Sequence, residues 1–208
     1  MTDRQQDLLF IDADNRPGIT SRTDSIISWT VPPERPLYCA LLEGYDAERT
    51  LRRWITNPQS ELALQNTQLM VASDRVAGGF TGFSGRQLRR RRETDLIDLV
   101  RRAKRPRCPR LRRRLKDLMP LYAPVAANDF YLSKIGLCPR TNTDELGPTL
   151  VDACIRRARN GGFDHIRTDV DADRCELMPI LSDSGFQIRH RGQAPDAGIT
   201  YLNMALKL

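Results

Sequence analysis

Apolar and polar positions alternate along this chain in a way that divides it into short strands and amphipathic helices. Leu8 to Ile11 (LLFI), ending at Asp12, reads as a first strand. Thr23 to Trp29 reads as a helical turn, and Pro32, Pro33 and Pro36 hold the stretch after it extended. In AERTLRRWI, Ala47 to Ile55, the apolar Leu51, Trp54 and Ile55 recur at helical spacing, and Asn57-Pro58 ends the helix. Thr67 to Ala72, the polar turn Ser73-Asp74-Arg75 and Val76 to Phe83 make a β-hairpin. Glycines at 78, 79 and 82 mark its second strand as a place of bulging or close backbone approach.

Two helical pieces follow, Glu93 to Ala103 with an apolar stripe of Leu96, Ile97 and Val100, and Arg110 to Met119 with Leu111, Leu115, Leu118 and Met119. Each stripe predicts docking on the body with arginines held outward. Phe130 to Leu137 (FYLSKIGL) is a strong strand, and a loop from Cys138 to Glu145 leads to a helix over Leu146 to Asn160, stopped by Gly161-Gly162. His165 to Val170, Gln187 to Arg191 and Ile199 to Leu206 complete the strands, with a short helix, Asp173 to Asp183, kinked at Pro179. The class is α/β: a mixed twisted sheet flanked by helices, one domain over 1–208, with a basic helical insertion over 86–120 between the third and fourth strands.

A length of 208 residues and a hydrophobic fraction of 40% suit a single core. No run approaches the roughly 18 apolar residues of a membrane span, and Met1 to Gln6 is polar with both signs of charge, so a cytoplasmic protein without membrane contact is expected. Five cysteines, odd in number and far apart, argue against a disulfide framework and a zinc site. No metal is expected.

Charge changes the picture most. Of 33 basic residues, fifteen fall between Arg86 and Lys116 (Arg86, Arg89, Arg90, Arg91, Arg92, Arg101, Arg102, Lys104, Arg105, Arg107, Arg110, Arg112, Arg113, Arg114, Lys116) against three acids, a net of +12. The rest of the chain keeps eighteen basic and twenty-three acidic residues, a net of −5. Such segregation predicts a polyanion site. The insertion has no aromatic residue, which favours phosphate or shape recognition of a folded RNA such as tRNA over base stacking.

The order strand, loop, helix, strand, short helix, Gly-Phe, strand over Phe130 to Phe186, carried by YLSKIGLCPRTNTDELGPTLVDACIRRARNGG, HIRTDVDAD and SGF, resembles the donor-binding core of the GNAT acyltransferases. The resemblance implies acyl transfer to a small-molecule or peptide amine, with no tightly bound cofactor. In that family the amides of a Gln/Arg-x-x-Gly-x-Gly/Ala loop and the helix behind them hold the pyrophosphate of acetyl-CoA. The corresponding donor-binding positions are Ile135 and Leu137 on the strand and Asn142, Thr143 and Gly147 on the loop and helix. Glu145 replaces the first glycine and Asp144 precedes it, Leu181 replaces a common tyrosine and Arg174 a common asparagine, departures that weaken the donor site. The resemblance places Tyr131 where the family often has a catalytic glutamate, as a proton donor, with Ser133 its hydrogen-bonding partner. Of Asp169 and Asp171, which flank Val170, Asp171 is taken as the candidate base. His165 and His190 read as strand surface residues and Cys138 as a small buried one. Together with the charge map, these departures favour an aminoacyl group taken from aminoacyl-tRNA, acetyl-CoA being the alternative donor. A nucleic-acid-binding protein without catalysis is the third possibility.

Overall fold

The computed structural model describes residues 8–13, 29, 36–72, 75–102, 108–138, 141, 143–173 and 178–208. Lys104, Arg105, Arg107, Asn142 and Arg174, residues 23–28 of the expected helical turn, and Pro32-Pro33 lie outside them.

Seven strands form one sheet: β1 (Leu8–Asp12), β2 (Thr67–Ala72), β3 (Arg75–Ser84), β4 (Asp129–Leu137), β5 (His165–Asp171), β6 (Gln187–Ala194) and β7 (Ile199–Lys207), in the order β1-β2-β3-β4-β5-β7-β6. Among them only β4 and β5 pair in parallel. A parallel pair needs a crossover, which the helix Thr143–Asn160 supplies.

Consecutive strand residues face opposite sides of the sheet, so Leu69 and Tyr201 join one core cluster while Met70 and Leu202 join another. The helix α1 (Pro36–Leu41) and the helix α2 (Ala47–Thr56) build the first cluster with Trp29, Leu51, Trp54 and Leu121. Pro36, expected to prolong an extended stretch, instead opens α1, a position that suits its fixed φ and missing N–H. Glycine is required on β3 where Trp29 crosses it: a Cβ on Gly79 would lie 2.5 Å from the Gln68 carbonyl oxygen and 2.9 Å from the indole.

The basic segment between β3 and β4 forms a helix α3 (Gly85–Arg102), running straight on from β3, and a helix α4 (Cys108–Leu118). Because α3 begins at Gly85 and not at Glu93, its buried face is Leu88, Arg91, Asp95 and Leu99. The expected stripe is thereby corrected: Ile97 and Val100 are about half exposed, at 50% and 49%. On α4, Leu111 and Leu118 are buried as expected, but Met119, in the following turn, is 68% exposed. Asp98 ties α3 to α2, accepting from Arg53 Nη2 at 2.6 Å and from Trp54 Nε1 at 3.1 Å. The α5 helix (Thr143–Asn160) and the α6 helix (Met178–Asp183) cover the other face with Leu150, Cys154 and Leu181. Among the described residues, no helix is long and apolar enough to cross a membrane.

Candidate active site

The sheet splits where its parallel pair ends. β4 and β5 pair from Asp129↔His165 to Leu132↔Thr168 and no further. Beyond that point β4 stays with β3 as far as Leu137, and β5 stays with β7, where Asp169 faces Asn203. The β3–β4 register also slips at this level, from Gly82↔Leu132 to Thr81↔Lys134, so Ser133 is an extra residue in a bulge. Among the described residues, one edge of β4 then has no strand partner, which opens a wedge between β4 and β5.

Beside the wedge lies a buried polar cluster. Tyr131 donates from Oη to Asp169 Oδ2 at 2.7 Å and accepts from Arg92 Nη2 at 2.6 Å. Arg92 also donates through Nε to Glu61 Oε2 at 3.1 Å, and its guanidinium carbon lies 4.0 Å from the ring centre of Tyr122. Glu61 accepts from Ser133 Oγ at 2.7 Å, and Asn203 Nδ2 donates to Asp169 Oδ1 at 2.6 Å. Strand, loop and insertion therefore meet at one point.

Burial and charge set the protonation of these groups. Burial disfavours the Glu61 carboxylate, but Arg92, Lys134 and the Ser133 hydroxyl outweigh it and hold its pKa below the ordinary value. Burial dominates at Tyr131, keeping its phenol protonated well beyond the usual range, and it also raises Asp169 despite Arg92, Tyr131 and Asn203. Asp95 is pushed up to about 7, first by burial and then by the charges of Glu61 and Asp98, against hydrogen bonds from the Glu61 amide and Ser60.

The cluster lies against a cavity of about 650 Å³ whose walls include Leu41, Trp54, Glu61, Leu62, Asp95, Leu115, Tyr122 and Lys134. Apolar side chains dominate, several of them from the segment between β3 and β4.

Placement revises the expected residues in several ways. Tyr131 and Ser133 come together through Glu61 and Arg92. Asp171 stands apart: its Oδ1 accepts from the Asp173 amide at 3.1 Å, closing an exposed turn, and Asp169 is the carboxylate that reaches Tyr131. Arg91 and Arg92 do not face outward. Arg91 is 7% exposed, donating to the carbonyls of Pro58 and Ser60 at 3.0 and 2.8 Å and lying over the Phe83 ring, which clamps the chain after α2 onto α3. Arg114 is half-buried and paired with Glu43. Arg86, Arg89, Arg90, Arg101, Arg102, Arg110, Arg112, Arg113 and Lys116 are exposed. Their charge is partly met along the helices, as in Arg89–Glu93 at 2.8 Å and Arg102–Asp98 at 2.8 Å.

On the donor side, Ile135 packs its side chain in the core beneath α5, which leaves its main chain on the wedge strand, and Leu137 is partly buried there. Thr143 is the first residue of α5, and Asp144 and Glu145 in its first turn are exposed. Gly147 sits a turn inside the helix, where a Cβ would run into Ile180 Cδ1, so its bareness serves the packing of α6 on α5. Leu181 is fully buried. Sequence reasoning did not pick out Glu61, Asp95, Tyr122 or Asn203. For Asp95 and Arg92 the 3.6-residue period running on from Leu88 carries the signal, whereas Glu61 has no local signature.

No family model matches this sequence, and no curated protein matches it. Solved structures do resemble the fold. An N-acetyltransferase from Staphylococcus aureus Mu50 superposes with a TM-score of 0.64 at 12% identity, covering 95% of this chain and 100% of its own. The C-terminal condensation domain of Ebony, solved with β-alanyl-dopamine, gives 0.63 at 14% identity over 98% and 100%. Another acetyltransferase gives 0.61 at 18% identity over 96% and 98%. Likeness at such identities is one of architecture, and with the parallel β4–β5 pair and the wedge beyond it, this chain has the GNAT fold.

Proposed function

We propose that the chain is an N-acyltransferase that moves an acyl group from a thioester such as acetyl-CoA to an amine. The observation that carries this reading is the parting of β4 and β5 beyond Leu132 and Thr168, where β4 has no second strand beside it among the described residues, next to a cavity whose wall includes Glu61 and Arg92. Main-chain N–H groups of such an edge hold a thioester arm and polarise its carbonyl. The amine gives its ammonium proton to solvent, its neutral nitrogen attacks the carbonyl carbon, the C–N bond forms, the C–S bond breaks, and the departing thiolate takes the second proton that the nitrogen sheds. Tyr131 holds its proton more tightly than a thiol does and is committed to Asp169, so we assign it to positioning Asp169 and Arg92. Glu61, kept ionised at the bulge, holds Arg92 and the Ser133 hydroxyl in place beside the wedge.

An aminoacyl-tRNA donor is the second reading, favoured by the exposed basic residues of the insertion. It is weakened because Arg91 and Arg92 are engaged inside the protein and Arg114 is paired with Glu43 at the surface. Calorimetric titration with acetyl-CoA and with total tRNA, each at two salt concentrations, separates the readings. Saturable acetyl-CoA binding with mild salt dependence and thiol release on adding an amine is expected. Tight tRNA binding that falls steeply with salt, without acetyl-CoA binding, would overturn the thioester reading. Activity with charged tRNA would then mark the second reading, and binding without turnover a nucleic-acid-binding protein.

A further inference from the structure

We propose that the cavity takes a primary monoamine on an apolar body, aromatic or alkyl, and that Asp95 of the basic insertion receives its ammonium group. This deepens the acyl-transfer reading and rests on it for the fate of the bound amine.

The charges around the cavity leave one position for a ligand cation. Arg92 and Glu61 are paired with each other, and Lys134 donates to the Ser133 carbonyl at 2.9 Å. Arg89 and Glu93 form a pair at the more exposed side. Asp95 differs. It is 7% exposed, its Oδ2 accepts from the Glu61 amide at 3.0 Å, the Ser60 hydroxyl lies near enough to favour its charge, and its Oδ1 is buried without a well-formed hydrogen bond among the described residues. A buried carboxylate oxygen without a partner is unfavourable, and a ligand N–H donor carrying positive charge relieves it. Burial also holds the carboxyl close to its midpoint at neutral pH, so a bound cation shifts it to the ionised form.

The remaining wall sets the class of amine. Leu41, Trp54, Leu62, Leu115, Leu118 and Tyr122 surround a space large enough for a drug-sized molecule. A second ammonium on the same ligand would be stripped of water against these side chains, and the other carboxylates of the wall, Glu61 and Glu93, are already paired with Arg92 and Arg89, which selects against polyamines. Position also fits the chemistry: the backbone amide of Glu61 meets Asp95, and its carboxylate meets Ser133 at the bulge of the wedge. An amine on Asp95 therefore sits one residue away from the open edge of β4. The insertion, in this arrangement, is a wall of the acceptor site as well as a basic surface.

The test is calorimetric titration of the whole chain at about pH 8 with octylamine, 2-phenylethylamine, spermidine and 1-octanol, for the wild type, Asp95→Asn and Leu115→Trp. Octylamine and 2-phenylethylamine should saturate the wild type, at least about tenfold tighter than spermidine. Asp95→Asn should weaken both amines at least about tenfold and leave 1-octanol unchanged, which also reports that the variant is folded. Leu115→Trp, which fills the cavity without touching the carboxylate, should abolish octylamine and 1-octanol binding while retaining acetyl-CoA. Equal octylamine affinity in the wild type and Asp95→Asn, equal affinity for spermidine, or no binding of either apolar amine overturns the proposal. Spermidine acetylation without octylamine binding sinks the inference and leaves acyl transfer standing. Asp95-dependent amine binding without acetyl-CoA binding or thiol release sustains the cavity as an amine site and sinks acyl transfer.

Discussion

Replacing Asp95 by asparagine should make the protein more stable at alkaline pH and leave it little changed near pH 4. Asparagine keeps an oxygen for the Glu61 amide and removes only the charge. Asp95 is raised from an ordinary 3.8 to about 7 in the folded chain. A carboxyl raised on folding contributes stability that is fully present below its unfolded value and lost as the pH climbs through the folded value. At about 1.4 kcal/mol per unit, the wild type loses ~4 kcal/mol in all, of which roughly 2.5 kcal/mol falls between about pH 5 and about pH 8. Neighbouring charges do not cancel this: Glu61 stays ionised across the window, Asp98 is held down by Arg53 and Arg102 against its own desolvation, and Arg91 stays cationic. Urea denaturation of both proteins at the two pH values measures it, since groups shared by the pair drop out of the difference. The stability of Asp95→Asn relative to wild type should rise by roughly 2.5 kcal/mol from the lower to the higher pH. A difference flat to within about 0.5 kcal/mol would show that Asp95 is solvated in the folded protein, and the inference of a desolvated carboxylate in the cavity wall would go with it.

Neighbouring arginines of one run should behave very differently. Arg91→Ala strips donors from the carbonyls of Pro58 and Ser60 and leaves a hole under Phe83, so a loss of about 3 kcal/mol, read as a lower melting temperature, is expected. Arg90→Ala, on the exposed face, should change stability by no more than about 0.5 kcal/mol. Arg92→Met keeps the packing over Tyr122 but leaves Glu61 and Asp169 without their cation, so stability should fall by about 3–5 kcal/mol, and thiol release from acetyl-CoA, assayed where the variant is still folded, should fall about a hundredfold. Gly147→Val drives a side chain into Ile180 and should destabilise by about 1–3 kcal/mol in thermal unfolding, whatever its effect on the donor.

Order and type of elements were legible where the pattern is local. TQLMVA, FYLSKIGL and HIRTDV each carry a strand alternation or apolar run, and LVDACIRRARN repeats at helical spacing, so the strands β2, β4 and β5 and the helix α5 lie close to their expected positions. The same locality limits the reading of the site. Asp169 and Asp171 are two residues apart and share a strand face, so alternation does not distinguish them. The distinction comes from pairing, because Asp169 sits opposite Asn203 within the sheet while Asp171 is at the turn that ends it. Glu61 and Arg92 are 31 positions apart, and a contact at that separation has no periodicity to announce it.

By itself, the sequence determined the α/β order and the concentration of positive charge between β3 and β4, since propensity, periodicity and composition are properties of neighbours along the chain. Only the tertiary structure decided which of those charges are on the outside. A guanidinium or carboxylate enters the interior when partners from distant segments replace its water, and those partners exist only once the chain has folded. Arg91 and Arg92 have them in Pro58, Ser60, Glu61, Tyr131 and Asp169, whereas Arg90, beside them in the same helix, faces solvent.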